Sequence, residues 1–166
     1  MRTVQLLASK TLLPGIVNEE RKGNFTSVPA TALIVPGGYV ARIIYLTFYV
    51  ITSAVVANRH PVVKVLNADN QLVAAFPAGV DQAASSTVVY SYCASTMLGN
   101  NGGGGYRSVG FGDVLLYNGY TVTVDVVNFQ AGDQLNNLIV VYELTDVSPY
   151  GLNTGRVDDQ QYMSGG

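Results

Sequence analysis

At 166 residues the chain is long enough for one domain that buries about 70% of its unfolded surface. Charged residues make up 12% of it, against about 25% in an ordinary soluble domain, so much of its surface is expected to be covered by other subunits. The net charge is −2, the basic residues are scattered, and Glu19-Glu20 offset the one adjacent basic pair, Arg21-Lys22; this excludes the basic face that a nucleic-acid partner requires.

The N-terminus, Met1 to Lys10, lacks the continuous apolar stretch of a signal peptide. No segment approaches the roughly 18 apolar residues of a membrane helix. Synthesis in the cytoplasm and no membrane partner are therefore expected. Residues 1–30 read as an extended arm, because Pro14 to Phe25 has no usable hydrophobic period. The first 25 residues are expected to be dispensable for folding.

The stretch from Tyr39 to Thr52 predicts a long strand with two largely apolar faces. Val40, Arg42, Ile44, Leu46, Phe48 and Val50 alternate with Ala41, Ile43, Tyr45, Thr47, Tyr49 and Ile51. Either the N-terminal segment covers the second face or another subunit does. Tyr45 and Tyr49 suit the latter, since a tyrosine can bury its ring and still offer a hydroxyl.

Further strands are predicted at Val62 to Leu66, Leu72 to Phe76, Thr87 to Ser95 and Val109 to Tyr117. Asn67 to Asn70 reads as a hairpin loop, because Asn and Asp tolerate left-handed backbone angles. Asn118-Gly119 reads as a hairpin turn into Tyr120 to Val126, where Val122, Val124 and Val126 share one face. In the last strand, Leu138 to Asp146, one face carries Leu138, Val140, Tyr142 and Leu144. Seven or eight strands without intervening helices predict an all-β antiparallel sandwich, a jelly roll, over residues 31–146. Residues 147–166 read as a polar C-terminal tail.

The chemistry-bearing residues are sparse. His60 is the one histidine, and any Ser/His/Asp or Cys/His mechanism would have to use it; it reads as a surface or turn residue. One histidine cannot build a multi-histidine metal site. Cys93 excludes an intramolecular disulfide framework by being alone and reads as a small packed hydrophobe. The run Gly99 to Arg107 lacks both the P-loop and the dinucleotide spacing, so it reads as a loop between strands that ends in Tyr106 and Arg107. No carboxylates form a calcium loop. No catalytic, cofactor or metal site is expected, and the protein is expected not to be an enzyme.

The segment Tyr45 to Arg59, followed by Val62-Val-Lys-Val, is a long apolar strand that ends in an Asn-Arg turn before a second strand returns. With the Gly132-Asp133 connection and the Leu138 to Glu143 strand, it resembles the jelly-roll virion proteins of tailed bacteriophages, particularly capsid decoration (cement) proteins. The likeness covers about residues 39 to 146. It implies a non-enzymatic protein located in the virion, bound to other virion proteins such as the major capsid protein, and often a trimer. Candidate subunit contacts are Phe25, Tyr45, Tyr49, Tyr106, Arg107, Tyr150 and Tyr162, aromatic and arginine types favoured at interface hot spots. The alternative is a carbohydrate- or receptor-binding module of a tail fibre or tip, with Tyr90, Tyr92, Tyr106 and Tyr117 as stacking platforms. The absence of Trp counts against it.

Overall fold

A computed structural model describes residues 16–93 and 105–147. Ten strands follow in chain order: β1 (Ile16–Lys22), β2 (Ala30–Ile34), β3 (Tyr39–Ile51), β4 (His60–Leu66), β5 (Leu72–Pro77), β6 (Thr87–Cys93), β7 (Tyr106–Gly110), β8 (Leu115–Leu116), β9 (Thr121–Val127) and β10 (Gln134–Asp146). Among the described residues there is no helix. The protein is an all-β sandwich, as its runs of Val, Ile, Thr and Tyr at period two require. The first sheet has the order β1-β10-β3-β6-β7, with β8 also on β3; the second has the order β2-β9-β4-β5.

The winding follows one rule. The chain doubles back so that β1 pairs β10, β2 pairs β9, β3 pairs β6 and β4 pairs β5, all antiparallel. Successive pairs alternate between the two sheets. The contacts β10·β3 and β4·β9 then join the pairs within each sheet. Only β6 and β7 run parallel.

The core lies between the sheets. Val122, Val124 and Val126 of β9 face Leu138, Val140, Tyr142 and Leu144 of β10, all buried as their alternation predicts. At its centre Phe48 stacks on Tyr90 and Tyr92, with ring centroids 5.4 and 5.9 Å apart.

The structure has ten strands where seven or eight were expected, β2 (Ala30–Ile34) being one that no alternation signalled, and four further features differ from the sequence reading. In β3 the buried set is Ala41 and Ile43, then Leu46, Phe48 and Val50. A register shift between Val141 and Tyr142 of β10 leaves Ile44 without a partner there. This bulge swaps the two faces of β3 mid-strand, which strict alternation cannot foresee. Second, Ile16–Lys22 is no free arm but the outer strand of the first sheet, paired residue for residue with β10; a truncation that spares the sandwich must stop at residue 15. Third, Val109 to Tyr117 divides into the end of β7 and the two-residue β8. Fourth, Asn118-Gly119 joins strands of different sheets, so it turns a corner of the sandwich and closes no hairpin. There Tyr120 N donates to Tyr117 O at 3.0 Å, and Gly119 has φ +77°, a value that suits glycine. The Asn67 loop is as expected, its side chain accepting from the amides of Asp69 and Gln71.

Candidate interaction surface

The segments following β3, β5 and β9 meet at one end of the sandwich around a buried ion pair. Arg59 and Asp133 have no exposed side-chain surface. Arg59 Nε donates to Asp133 Oδ2 and Nη2 to Oδ1, both at 2.9 Å. Its remaining donors reach the carbonyls of Val55 and Ala57 and the hydroxyl of Ser53. Asp133 also accepts from the amides of Ser53 and Gln130, at 2.7 and 2.8 Å. Burial alone would raise the Asp133 carboxyl. The Arg59 guanidinium and the two amides outweigh it and hold the group well below the usual carboxylate range. Beside this pair, Gln82 accepts from the Tyr90 hydroxyl and donates to Val50 O, at 3.1 and 2.9 Å. Every polar group in this lock has a partner, so it fixes the loops and offers nothing reactive.

The outer face of the first sheet is of another kind. Because Leu46, Phe48 and Val50 point inward, Tyr45, Thr47, Tyr49 and Ile51 point outward. Registers carry this face across the neighbours. One row reads Tyr49, Val89, Tyr106. The next reads Ile139, Thr47, Ser91, Ser108, and a third Val141, Tyr45, Cys93, Gly110. None of these residues carries a charge. Thr47 is 8% exposed and Ser91 0%, although both sit on an outer face. Tyr45 Oη lies 3.1 Å and Thr47 Oγ1 3.2 Å from Ser91 Oγ, and Thr47 also donates to Tyr90 O at 2.9 Å. The hydroxyls at the centre of the face therefore satisfy one another.

Charge lies around these three rows: Glu143 of β10 and Arg42 of β3 stand side by side in the next outward-facing row, beyond Val141 and Tyr45. Glu19 and Arg21 pair on β1 at 2.5 Å, and Arg42 pairs with Asp113 at 2.7 Å. The outer face of the second sheet carries an ion pair as well, Lys64 to Asp125 at 2.6 Å.

Of the candidate contacts, Tyr45, Tyr49 and Tyr106 share this outer face, the last two 36% and 44% exposed. Arg107 does not join Tyr106. In register with the inward Tyr90, it donates to the carbonyls of Val80 and Asp81, its Cζ 5.9 Å from the Tyr90 ring centre. Burial, partly countered by that cation, pushes the Tyr90 phenol up to about 12. Phe25 packs against the core, with its backbone paired to Leu135. Tyr150 and Tyr162 lie outside the described residues.

Of the residues weighed for chemistry, His60 meets one carboxylate, Asp81, at 2.8 Å. Among the described residues no three His, Cys, Asp or Glu side chains gather as metal ligands. Cys93 is half-buried on the outer face, where burial pushes its thiol up. Arg59 and Asp133, 74 residues apart, were present in the sequence as the Asn-Arg turn and the Gly132-Asp133 connection. Nothing in the sequence signalled their pairing.

No protein-family model and no curated protein matches the chain. Among solved structures it is similar to infectious bursal disease virus Gx strain, at 10% identity and a TM-score of 0.32. A crystal structure of the T13 particle of the same virus shares 7% identity, at a TM-score of 0.33. The alignments cover 81% and 80% of this chain but only 37% and 36% of those chains. Likeness of this degree leaves function to be argued from the chain's own surfaces.

Proposed function

We propose that this chain is a non-enzymatic structural component of a virion, a decoration or cement protein that stabilises a phage capsid through subunit contacts. The observation that carries the reading is the run of three uncharged rows on the outer face of the first sheet, in a chain with 12% charged residues. A monomer exposing such a face would be prone to association; a subunit uses it. The winding supports the reading. We take β1-β10-β3-β6 facing β2-β9-β4-β5 as a jelly roll, an architecture shared by capsid domains, lectins and cupins. A cupin-like metal site is disfavoured by the single histidine.

On this reading the partners are the major capsid protein and further copies of the chain, with a trimer as the oligomer that the family resemblance implies. Repeated placement on a lattice turns weak single contacts into firm attachment. Residues 1–15 and 147–166 act as clamps on neighbouring subunits. The test is incorporation into particles by the full chain and by a chain lacking residues 1–15. The full chain should enter and the shortened chain, still folded by circular dichroism, should stay out. Failure of the full chain to enter any particle would overturn the reading.

One observation favours the carbohydrate-binding alternative. A cleft of about 310 Å³ beside Tyr49 is lined by Arg21, Lys22, Asn137 and Ile139, with Asn137 held at φ 51° at a β10 bulge. This is the lower end of small-ligand pocket sizes. Tyr90 and Tyr92, weighed above as stacking platforms, are fully buried and cannot serve. Saturable binding on a glycan array, lost in Tyr49→Ala, would promote this reading.

A further inference from the structure

We propose that the free edge of β7 is a strand-pairing site for a second copy of the chain. The two β7 strands run antiparallel about a two-fold axis at Ser108, and the first sheets of the two copies join into one. The proposal rests on the assembly reading above and names one contact between copies.

Each sheet ends in two outer strands, and three of these four are guarded. β1 carries the charged run Glu19 to Lys22. β2 follows Pro29 and has a register shift between Thr31 and Leu33. β5 ends in Pro77, and its ladder with β4 shifts between Val65 and Leu66. Charge, proline and bulges keep an edge from pairing with another chain. β7 has none of these devices. Its residues, Tyr106–Gly110, include no proline and keep one register along β6. Its one charged side chain, Arg107, is turned back onto the carbonyls of Val80 and Asp81. Among the described residues no strand lies beyond it.

The backbone shows which groups this edge offers. Val89 N donates to Gly105 O at 2.7 Å, and Phe111 N to Cys93 O at 3.1 Å. Alternate residues of a strand bond the same neighbour. Gly105, Arg107, Val109 and Phe111 therefore turn their backbone groups to β6, and Tyr106, Ser108 and Gly110 turn theirs to the free edge. The strand is self-complementary there. In an antiparallel pair centred on Ser108, Tyr106 of each copy faces Gly110 of the other, and each such row exchanges a pair of N–H···O bonds. The largest outward side chain, 44% exposed, thus lies across the residue that has none, as aromatic residues cover glycines at sheet edges. On the inner side Arg107 faces Val109 of the other copy, so the two guanidinium groups do not oppose. A pair centred on Arg107 would oppose them, which is destabilising. The edge spans about 17 Å, short for a stable interface by itself, so the pair forms at high concentration and is reinforced on a lattice. A two-fold contact is compatible with a three-fold one elsewhere on the chain, and it makes every closed species an even multiple of 17.6 kDa.

The test is the mass of the full chain by light scattering over a wide concentration range, as wild type and as Ser108→Pro. Proline is tolerated where an edge N–H faces solvent, so this variant keeps the β6 ladder and loses only the bonds at the axis. The wild type should reach an even multiple of the chain mass at high concentration. Ser108→Pro should stop at half that mass, with self-association weakened at least about fivefold. Ser108→Lys and Ser108→Glu should each weaken association, because like charges would meet at the axis, and mixing the two should restore it. Matching circular dichroism and melting curves would show that each variant folds; the Lys and Glu variants carry the test if the proline variant does not. An odd multiple for the wild type, a folded Ser108→Pro that reaches the wild-type mass, or a mixture no better than its components would overturn the proposal. In each of these cases particle incorporation of the wild type would leave the virion reading standing.

Discussion

Replacing Asp133 by Asn tests how the loop end of the sandwich is held. The substitution keeps the shape of the side chain but removes the charge that compensates Arg59, whose guanidinium has no route to water. It also sets an amide donor against one of the N–H donors that Asp133 now accepts, from Arg59, Ser53 or Gln130. Breaking a buried pair from one side costs about 3–5 kcal/mol, a large part of the roughly 5–15 kcal/mol that stabilises a domain. At about 2–4 °C per kcal/mol for a chain of this size, the melting point should fall by roughly 6–20 °C. Urea denaturation should show a lower midpoint at an unchanged slope. The double variant Arg59→Met/Asp133→Leu should lose less than the two single changes added together, because no charge is stranded. It should not recover fully, since the Ser53 and Gln130 amides and the Val55 and Ala57 carbonyls lose their partners. The pH dependence has a definite sign. Asp133 has a native pKa below its unfolded value, so its contribution is complete above the ordinary aspartate range near about 4. It drains away as the pH falls further. A cost below about 1 kcal/mol for Asp133→Asn at neutral pH would refute the reasoning.

Two other substitutions probe the core and the opposite end. Phe48→Ala removes the ring between Tyr90 and Tyr92 and should cost about 3–5 kcal/mol, read by chemical denaturation. Gly119→Ala combines a left-handed backbone with a new Cβ 2.9 Å from the Ala68 Cβ. It should cost more than the ~1 kcal/mol of an ordinary strained glycine replacement and lower the melting point by several degrees.

The strands were legible where one face meets the core and the other meets water, as in β9 and β10. Alternation then states the burial directly. It failed where local chemistry conceals the pattern. In β1 the sequence Asn18-Glu19-Glu20-Arg21-Lys22 has no apolar period, because an edge strand can present charge on both sides and so discourage further pairing. In β3 one extra residue at Ile44 exchanged the faces, and only the register with β10 reveals it. The turn residues Asn118-Gly119 were recognisable, but a turn does not say which sheet receives the next strand. The candidate surface was legible in part. Tyr45 and Tyr49 were read as outward-facing contacts, and the register adds Tyr106 to their face while turning Arg107 inward. The Arg59–Asp133 pair depends on folding distant segments together, and no local spacing encodes it.

The central claim, that the sparsely charged sandwich is a subunit of a larger shell, is tested most directly by quantitative mass spectrometry of gradient-purified particles from cells that make the chain. The account predicts the chain in the particle fraction at a fixed copy number, held through washing. Its absence from every particle fraction, with the whole pool recovered as a freely soluble 17.6 kDa monomer, would contradict the account.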